Sequence, residues 1–536
     1  MRKIGIGLLL VVVVLTGLGI PLVTYAPPVS DRYLWGAMHV HSSFSDGRAS
    51  IEEVARAAAR SRVDFVMLSD HGAPHRDAAL VDDTVDGVRL IGGSEVALPE
   101  GNLVVSDVDT LSRFKLPAYP PDAIADVRGW GGIAIIAHPD DPAHRWTYWE
   151  HDLLPDGLEV LDVTSQFRES SAFAKLRWAW FSLFSSYYSI RGFLPPTRTL
   201  DRWDELLERG PVWGFYAVNA HGGFPLSETG RDVAIPFPSY ETVFSYLGLG
   251  VERREVYEHD PMRAIRRGEF FMVVRGAGEP EKFVFRAAGD KPPGSFVPPD
   301  SALHVEVEAP GLSPRIVLKR EGETITETTQ AELDFEASNG VYRVEVYLEE
   351  HPLLGSGVPW ILSNPIFVGM SYPPVAVEEL TCSEIEPLAL EGLNLEKDDE
   401  SSGTIEFLEG GRVKLFYRLS LATPEVPDRW VAFALRKPLD LSAYRGLVLE
   451  ADVSRPMRFW IELRSAERRH HASIKLDKGP NRVTVPWTRF YNAMSGTREP
   501  PPALGELDAL FLTVNPVNSY TGFRRGLDVT TFGGCR

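Results

Sequence analysis

The sequence predicts a multidomain α/β plus all-β chain: an N-terminal transmembrane helix, a segment of βα units around a parallel sheet or barrel, then two antiparallel β-sandwich modules. Three observations carry this. The chain has 536 residues, and at about 150 residues per domain that makes roughly three to four domains. Strand-like and helix-like runs alternate from Trp35 to about Gly278, the mark of βα repeats. After Pro280 the pattern turns to short alternating strands between Gly and Pro, as sandwiches require.

Taken in order, Met1-Arg2-Lys3 is basic and Ile4 to Tyr25 carries no charge. At ~1.5 Å per residue that run spans a hydrocarbon core of about 30 Å, and the preceding positive charge predicts a cytoplasmic N-terminus. Residues 1–30 are therefore expected to anchor the chain in the cell membrane as a single pass, with its body on the extracytoplasmic side, or to release it if cleaved near Ala26. Residues 31–279 form the α/β segment. Met38-His39-Val40-His41 reads as a strand, and Ser50 to Arg62 as a helix whose Ser50 and Glu53 make a capping box. Val63 to Leu68, Leu90-Ile91, Ile133 to Ala137, Leu158 to Leu161 and Trp213 to Val218 read as further strands. An aromatic-rich helical insert lies between Gln166 and Arg198, with Trp178, Trp180, Phe181, Phe184, Tyr187, Tyr188 and Phe193. Residues 280–374 and 375–536 supply the two β modules.

Acidic residues outnumber basic ones 74 to 55, a net charge of −19, which disfavours long nucleic acids and leaves nucleotides open. Two cysteines, Cys382 and Cys535, are too few for a thiolate metal site of four ligands. They either bridge the ends of the last module or stay as two thiols.

The chemistry-bearing pattern is a set of histidines and carboxylates at strand ends: His39 and His41, Asp46 in the following loop, His71, Glu95, His138 and His221. A hydrolytic metal cluster needs neutral imidazoles and charge-balancing oxygens converging from different strands. His39 and His41, two apart on a strand, share a face. Asp70 beside His71 is either a support for a ligand or a proton acceptor, with a helix cap as the plain structural role. Arg48, Arg145 and Arg168 are candidates to hold a phosphate, and sequence does not choose among them. His75, His144 and His151 read as solvated loop histidines.

Five motifs in the segment Trp35–Gly278 occur in order: His39-Val40-His41-Ser42-Ser43-Phe44-Ser45-Asp46-Gly47, Asp64-Phe65-Val66-Met67-Leu68-Ser69-Asp70-His71-Gly72, Gly93-Ser94-Glu95, Gly131-Gly132-Ile133-Ala134-Ile135-Ile136-Ala137-His138-Pro139 and Asn219-Ala220-His221. In them the chain resembles the polymerase and histidinol phosphatase (PHP) domain family. The resemblance implies a distorted seven-stranded (β/α)7 barrel holding two or three divalent ions, and the mixed His and carboxylate ligands are compatible with zinc, manganese or iron. It implies phosphoester hydrolysis, with His39, His41, Asp46, His71, Glu95, His138, Asn219 and His221 as metal ligands and Asp70 and His221 as catalytic residues. Two positions depart from the family: Asn219 stands where Asp-x-His is usual, and no His lies between Glu95 and His138.

The segment Pro359 to Ile366 is similar to the end of an immunoglobulin-like sandwich in exported members of that family. The last module resembles a galactose-binding-like or carbohydrate-binding jelly roll, in which Trp430, Trp460 and Trp487 either stack on sugars or fill the core. The function expected is thus an exported metal-dependent phosphoesterase acting on a small phosphorylated substrate. The alternatives are an ester, amide or carbamate hydrolase with the same site, or a surface binding protein whose site has decayed.

Overall fold

The structure is a computed structural model that describes residues 25–536 apart from 73–80, 109–115, 143, 150–152, 172–174, 176–179, 181–184, 226–233, 236–237, 310, 373–379, 422–428, 456, 466–467, 493–503 and 516–520. Strand β1 (Tyr33–Val40) is buried along its whole length, and helix α1 (Ile51–Arg60) follows it, started by the Ser50–Glu53 capping box. Strand β2 (Phe65–Leu68) returns parallel to β1. Beyond it, β4 (Val88–Ile91) lies parallel to β2 and pairs on its other edge with β3 (Asp82–Val85). The next strands, β5 (Gly93–Leu98) and β6 (Gly101–Ser106), form a hairpin. Helix α2 (Pro120–Gly129) leads to β7 (Ile133–Ile136), antiparallel to β6. Strand β8 (Gly157–Asp162) runs parallel to β7, helix α3 (Val163–Glu169) starts at its end, and α4 (Thr197–Leu207) precedes β9 (Trp213–Ala217), parallel to β8.

The expected (β/α)7 barrel is not what these elements build, and strand residues far outnumber helical ones. Strands β5 to β9 form one five-stranded sheet, while β1, β2, β3 and β4 belong to a twelve-stranded sheet. The reason is local. Only two residues join β5 to β6, too few for the crossover helix that a parallel pair needs, so they pair as an antiparallel hairpin. After the short strands β10 (Phe224–Pro225) and β11 (Ala234–Ile235), β12 (Gly248–Glu252) pairs antiparallel with β1, and β13 (Phe271–Val273) with β12. The two sheets meet at two isolated bridges, Val40 to Ala220 and His71 to Glu95.

The far edge of β13 is hydrogen-bonded to Ile361–Ser363, so the twelve-stranded sheet crosses the boundary expected at 279/280. One apolar core accordingly runs from Tyr33 to Val368 and also takes in Tyr491 of the C-terminal segment. A separate core sits between two six-stranded antiparallel sheets in the C-terminal segment, where Leu415, Leu449, Ile461 and Leu510 are buried. Each such fully buried aliphatic side chain contributes about 1.5–3 kcal/mol. Cys382 and Cys535 are disulfide-bonded, with Cα atoms 5.2 Å apart. Asp122 with Arg489 (2.9 Å), and buried Asp126 with Arg458, tie helix α2 to this segment.

The expected transmembrane helix lies in residues 1–24, outside the described residues, apart from its last position. Among the described residues no helix is long and apolar enough to cross a membrane, so neither the transmembrane reading nor the single-pass membrane location that rested on it is borne out. Tyr25, the end of the uncharged run, packs on protein: its hydroxyl donates to the Gly276 carbonyl (3.2 Å) and its ring meets Tyr187 edge-on. Trp178, Phe181 and Phe184 of the aromatic insert, and His75 and His151, also lie outside the described residues.

Candidate metal centre

The two bridges between the sheets are where the site forms. His41 N–H donates to the Ala220 carbonyl and Ala220 N–H to the His39 carbonyl, while Glu95 N–H donates to the Ser69 carbonyl. These bonds bring the ends of β1, β2, β5 and β9 together. His39, His138 and Asn219 hold φ of 66°, 27° and 45°, left-handed values that cost energy in non-glycine residues and cluster at functional sites. The β1–β2 register shifts between Met38 and Val40, so His39 sits in an irregularity and not in the regular alternation that its spacing from His41 predicts.

Glu95, 3% exposed, is the centre. Its Oε2 lies 3.2 Å from His39 Nε2, 3.3 Å from His41 Nε2 and 3.4 Å from His71 Nδ1. Its Oε1 lies 2.7 Å from His138 Nε2 and accepts a hydrogen bond from the Asn102 amide at 2.6 Å. Asp46 makes the second focus: Oδ1 is 3.3 Å from His41 Nδ1, and Oδ2 is 3.3 Å from His221 Nε2 and 3.6 Å from His71 Nε2. Ligand atoms of His41, Asp46, His71 and His221 all fall within 4.8 Å of one another, and so do those of His39, Glu95 and His138.

These donors fit divalent cations. Ligands about 2.0–2.1 Å from a tetrahedral ion stand roughly 3.3 Å apart, which is the spacing of the imidazole nitrogens from Glu95 Oε2. The separations at His41 and His71 are longer than a usual hydrogen bond of about 2.7–3.2 Å. His221 Nδ1 faces the Asn219 carbonyl, two residues back, at 3.2 Å, which leaves Nε2, 3.3 Å from Asp46 Oδ2, free to offer its lone pair to a cation. His41 and His221 stack with ring centroids 4.1 Å apart.

Burial alone would push the charged forms away, but at Glu95 and His39 the partners win. Burial disfavours the Glu95 carboxylate, yet His39, His138 and His41 hold its pKa well below the usual range. Burial likewise lowers His39, and Glu159 and Glu95 raise it well above the ordinary histidine value. His221 is lowered by burial and by His41.

Asp70 does not join these groups. Its Oδ1 accepts from Ser42 N–H (2.8 Å) and the Ser45 hydroxyl (2.7 Å), and its Oδ2 from the Ser42 hydroxyl (2.8 Å). It thereby fixes the loop that carries Asp46. Gly47 presses against the same loop, since a Cβ there would stand 2.4 Å from the His41 carbonyl oxygen. Asn219 Oδ1 is buried without a hydrogen-bond partner among the described residues.

Two carboxylates escaped the sequence reading. Glu159 on β8, 1% exposed, places Oε1 2.6 Å from His39 Nδ1 and accepts the His138 N–H on Oε2 at 2.6 Å. Asp162 ends the same strand, and a ligand atom of it lies within 4.8 Å of those of His39 and Glu159. The signal was an acid inside the apolar run Leu158-Glu159-Val160-Leu161. His144, read as a solvated loop residue, puts its ring centroid 5.7 Å from that of His138. Arg168 pairs with buried Asp141, while Arg48 and Arg145 are exposed. In the C-terminal segment Trp430, Trp460 and Trp487 are half-buried, Trp460 stacked on His471 and Trp487 donating to the Tyr444 carbonyl.

No protein-family model matches the chain, and no curated protein matches it. Among solved structures, a two-domain protein from Bacteroides vulgatus containing a predicted PHP-like metal-dependent phosphoesterase is similar at 14% identity, over 63% of this chain and 97% of that one, with a TM-score of 0.30. A predicted metal-dependent phosphoesterase from Bifidobacterium adolescentis is similar at 17% identity, over 37% of this chain and 90% of that one, with a TM-score of 0.24. A family 11 carbohydrate-binding module from Clostridium thermocellum is similar at 14% identity, over 29% of this chain and 97% of that one, with a TM-score of 0.22. These likenesses are distant and assign no function.

Proposed function

We propose that the chain is a metal-dependent hydrolase of phosphoesters. The observation that carries this is Glu95, whose Oε2 faces three imidazole nitrogens at 3.2–3.4 Å while Oε1 faces a fourth at 2.7 Å. His41, Asp46, His71 and His221 would hold one ion and His39, Glu95 and His138 another, and the mixed nitrogen and oxygen donors suit zinc, manganese or iron. Divalent ions held there would supply an acidified water nucleophile and neutralise charge on a phosphoryl oxygen.

The remaining work belongs to the chain itself. Glu159 holds the His39 ring so that Nε2 points at Glu95, and the Asn102 amide holds Glu95 in place. Asp70 fixes the loop that presents Asp46. His71 and Asp46 are each 47% exposed, so substrate reaches the centre on their side.

The test is metal analysis of the full chain beside His39→Ala and Glu95→Gln, followed by hydrolysis of p-nitrophenyl phosphate and p-nitrophenyl acetate. Roughly two ions per chain are expected in the wild type, with both metal and phosphatase activity lost in Glu95→Gln. Equal metal content in all three proteins would overturn the reading, and faster cleavage of the acetate would move it to carboxyl esters.

A further inference from the structure

A cavity of about 290 Å³ opens beside His138, between the end of β8 and the start of α4. Two buried side chains that line it have polar atoms without a hydrogen-bond partner among the described residues: Asp162 Oδ2 and Ser165 Oγ, in residues 4% and 8% exposed. The other oxygen of Asp162 caps helix α3, accepting Ser165 N–H at 2.6 Å, so the free one is held in place by the helix start. Buried polar atoms in native proteins are nearly always paired, and two orphans on one cavity wall mark where a ligand pairs with them.

The occupant has to donate. A phosphate would meet the Asp162 carboxylate with like charge, and Arg198 and Thr199, at the cavity rim, already engage Asp140. A metal ion would find too few open ligands. Glu159 spends Oε1 on His39 and Oε2 on the His138 N–H, which leaves Asp162 Oδ2 alone. A hydroxyl fits both orphans, since it gives its proton to the carboxylate, while Ser165 both gives and accepts. Leu194, Pro195 and Pro196 also line the cavity, an apolar wall suited to the C–H face of a ring. Gln166 fixes that wall, its side-chain oxygen accepting Leu194 N–H at 2.6 Å.

We infer that this cavity takes the polyol part of a sugar phosphate, its hydroxyls on Asp162 and Ser165 and its phosphoryl group at the adjoining His and carboxylate cluster. The inference rests on the phosphoesterase reading above and names the substrate class for that site.

The experiment compares D-ribose 5-phosphate and D-glucose 6-phosphate with p-nitrophenyl phosphate on manganese-loaded full chain, in the wild type, Asp162→Asn and Ser165→Ala. Asn keeps the helix cap, and Ser165→Ala leaves the capping N–H in place, so at least one variant folds. The wild type is expected to prefer a sugar phosphate, and both variants to lower the ratio of sugar-phosphate to p-nitrophenyl phosphate kcat/KM about tenfold or more, because an unpaired buried acceptor penalises the wrong occupant, with metal content equal in all three. An unchanged ratio overturns the inference while leaving the hydrolase reading standing. Metal lost from Asp162→Asn also overturns it, by making Asp162 a ligand. If no phosphoester is cleaved at all, the hydrolase reading fails, and saturation-transfer NMR with D-ribose and D-glucose on the metal-free chain decides the cavity alone. Transfer lost in Ser165→Ala supports a polyol site, and no transfer in the wild type refutes it.

Discussion

Glu159 Oε1 stands 2.6 Å from Nδ1 of His39, a residue 120 positions earlier, and so decides which ring nitrogen of His39 faces Glu95. Carboxylates behind a metal-binding imidazole raise its basicity and fix its tautomer. Glu159→Gln is therefore expected to lower metal affinity about 10–100-fold with the fold intact, measured by competition with a chelating dye. In a His39→Ala background the same change should add little, because the two residues act as a pair. An additive loss would mean that Glu159 acts elsewhere.

Asp70 separates a positioning role from a proton-accepting one. Asn at this position keeps an acceptor for Ser42 N–H and a donor for the Ser42 hydroxyl, whereas Ala frees the loop that carries Asp46. Asp70→Ala is expected to lose metal and activity together, and Asp70→Asn to lose far less of both. If Asn is as inactive as Ala while its metal content stays at the wild-type level, Asp70 moves a proton.

The Arg275 guanidinium, 5% exposed, donates to Glu279 Oε1 at 2.7 and 2.9 Å, and Glu279 Oε2 accepts Ser30 N–H at 2.7 Å. Deleting one member of such a pair strands the other charge. Glu279→Ala is expected to cost about 3–5 kcal/mol in urea unfolding, and a change below roughly 1 kcal/mol would show the pair to be solvated.

Burial pushes His351 down to about 4. Its Nδ1 accepts the N–H groups of Leu353 and Leu354, and its Nε2 lies 3.0 Å from the Tyr25 hydroxyl, so protonation would break the Nδ1 acceptances. Unfolded, the ring takes its proton near 6.5. Between these values the unfolded chain holds more protons, so this contribution is complete above about pH 6.5 and is lost as the pH falls toward 4. The urea midpoint should drop over that window, and drop less in His351→Gln. Identical pH slopes in both proteins would remove His351 from the account.

The Cys382–Cys535 bond closes a loop with a sequence separation of 153. Replacing both with Ser should destabilise the C-terminal sandwich by about 2–5 kcal/mol through the freed unfolded chain, read from its unfolding midpoint with and without reductant. No change with reductant would show that the strand pairing of Ile385–Pro387 with the last strand already holds the ends.

The residues of the centre were legible because each imidazole follows an apolar run, as His71 follows Phe65 to Leu68 and His138 follows Ile133 to Ala137, and a strand end is where a polar side chain has room. Glu159 was not legible as a partner of His39, since an acid inside a strand reads the same whether it is buried or on an edge. The architecture was misread at one local turn and at one pairing between strands far apart in sequence. The alternation of strands and helices suggested parallel repeats, but the short Pro99-Glu100 turn forces a hairpin, and the pairing of Phe271–Val273 with Ile361–Ser363 has no local signature. The role of Asp70 depended on Ser42 and Ser45, which only the folded loop brings to it.

That distant pairing bears on how the molecule can be cut. A fragment ending near Pro280 would keep the whole His and carboxylate cluster yet bare the backbone edge of Phe271–Val273, a template on which a second fragment could stack. The His and carboxylate cluster and the strands that follow it are thus inseparable near Pro280, and a cut past Val368 keeps that edge covered but takes Arg458 and Arg489 from Asp126 and Asp122.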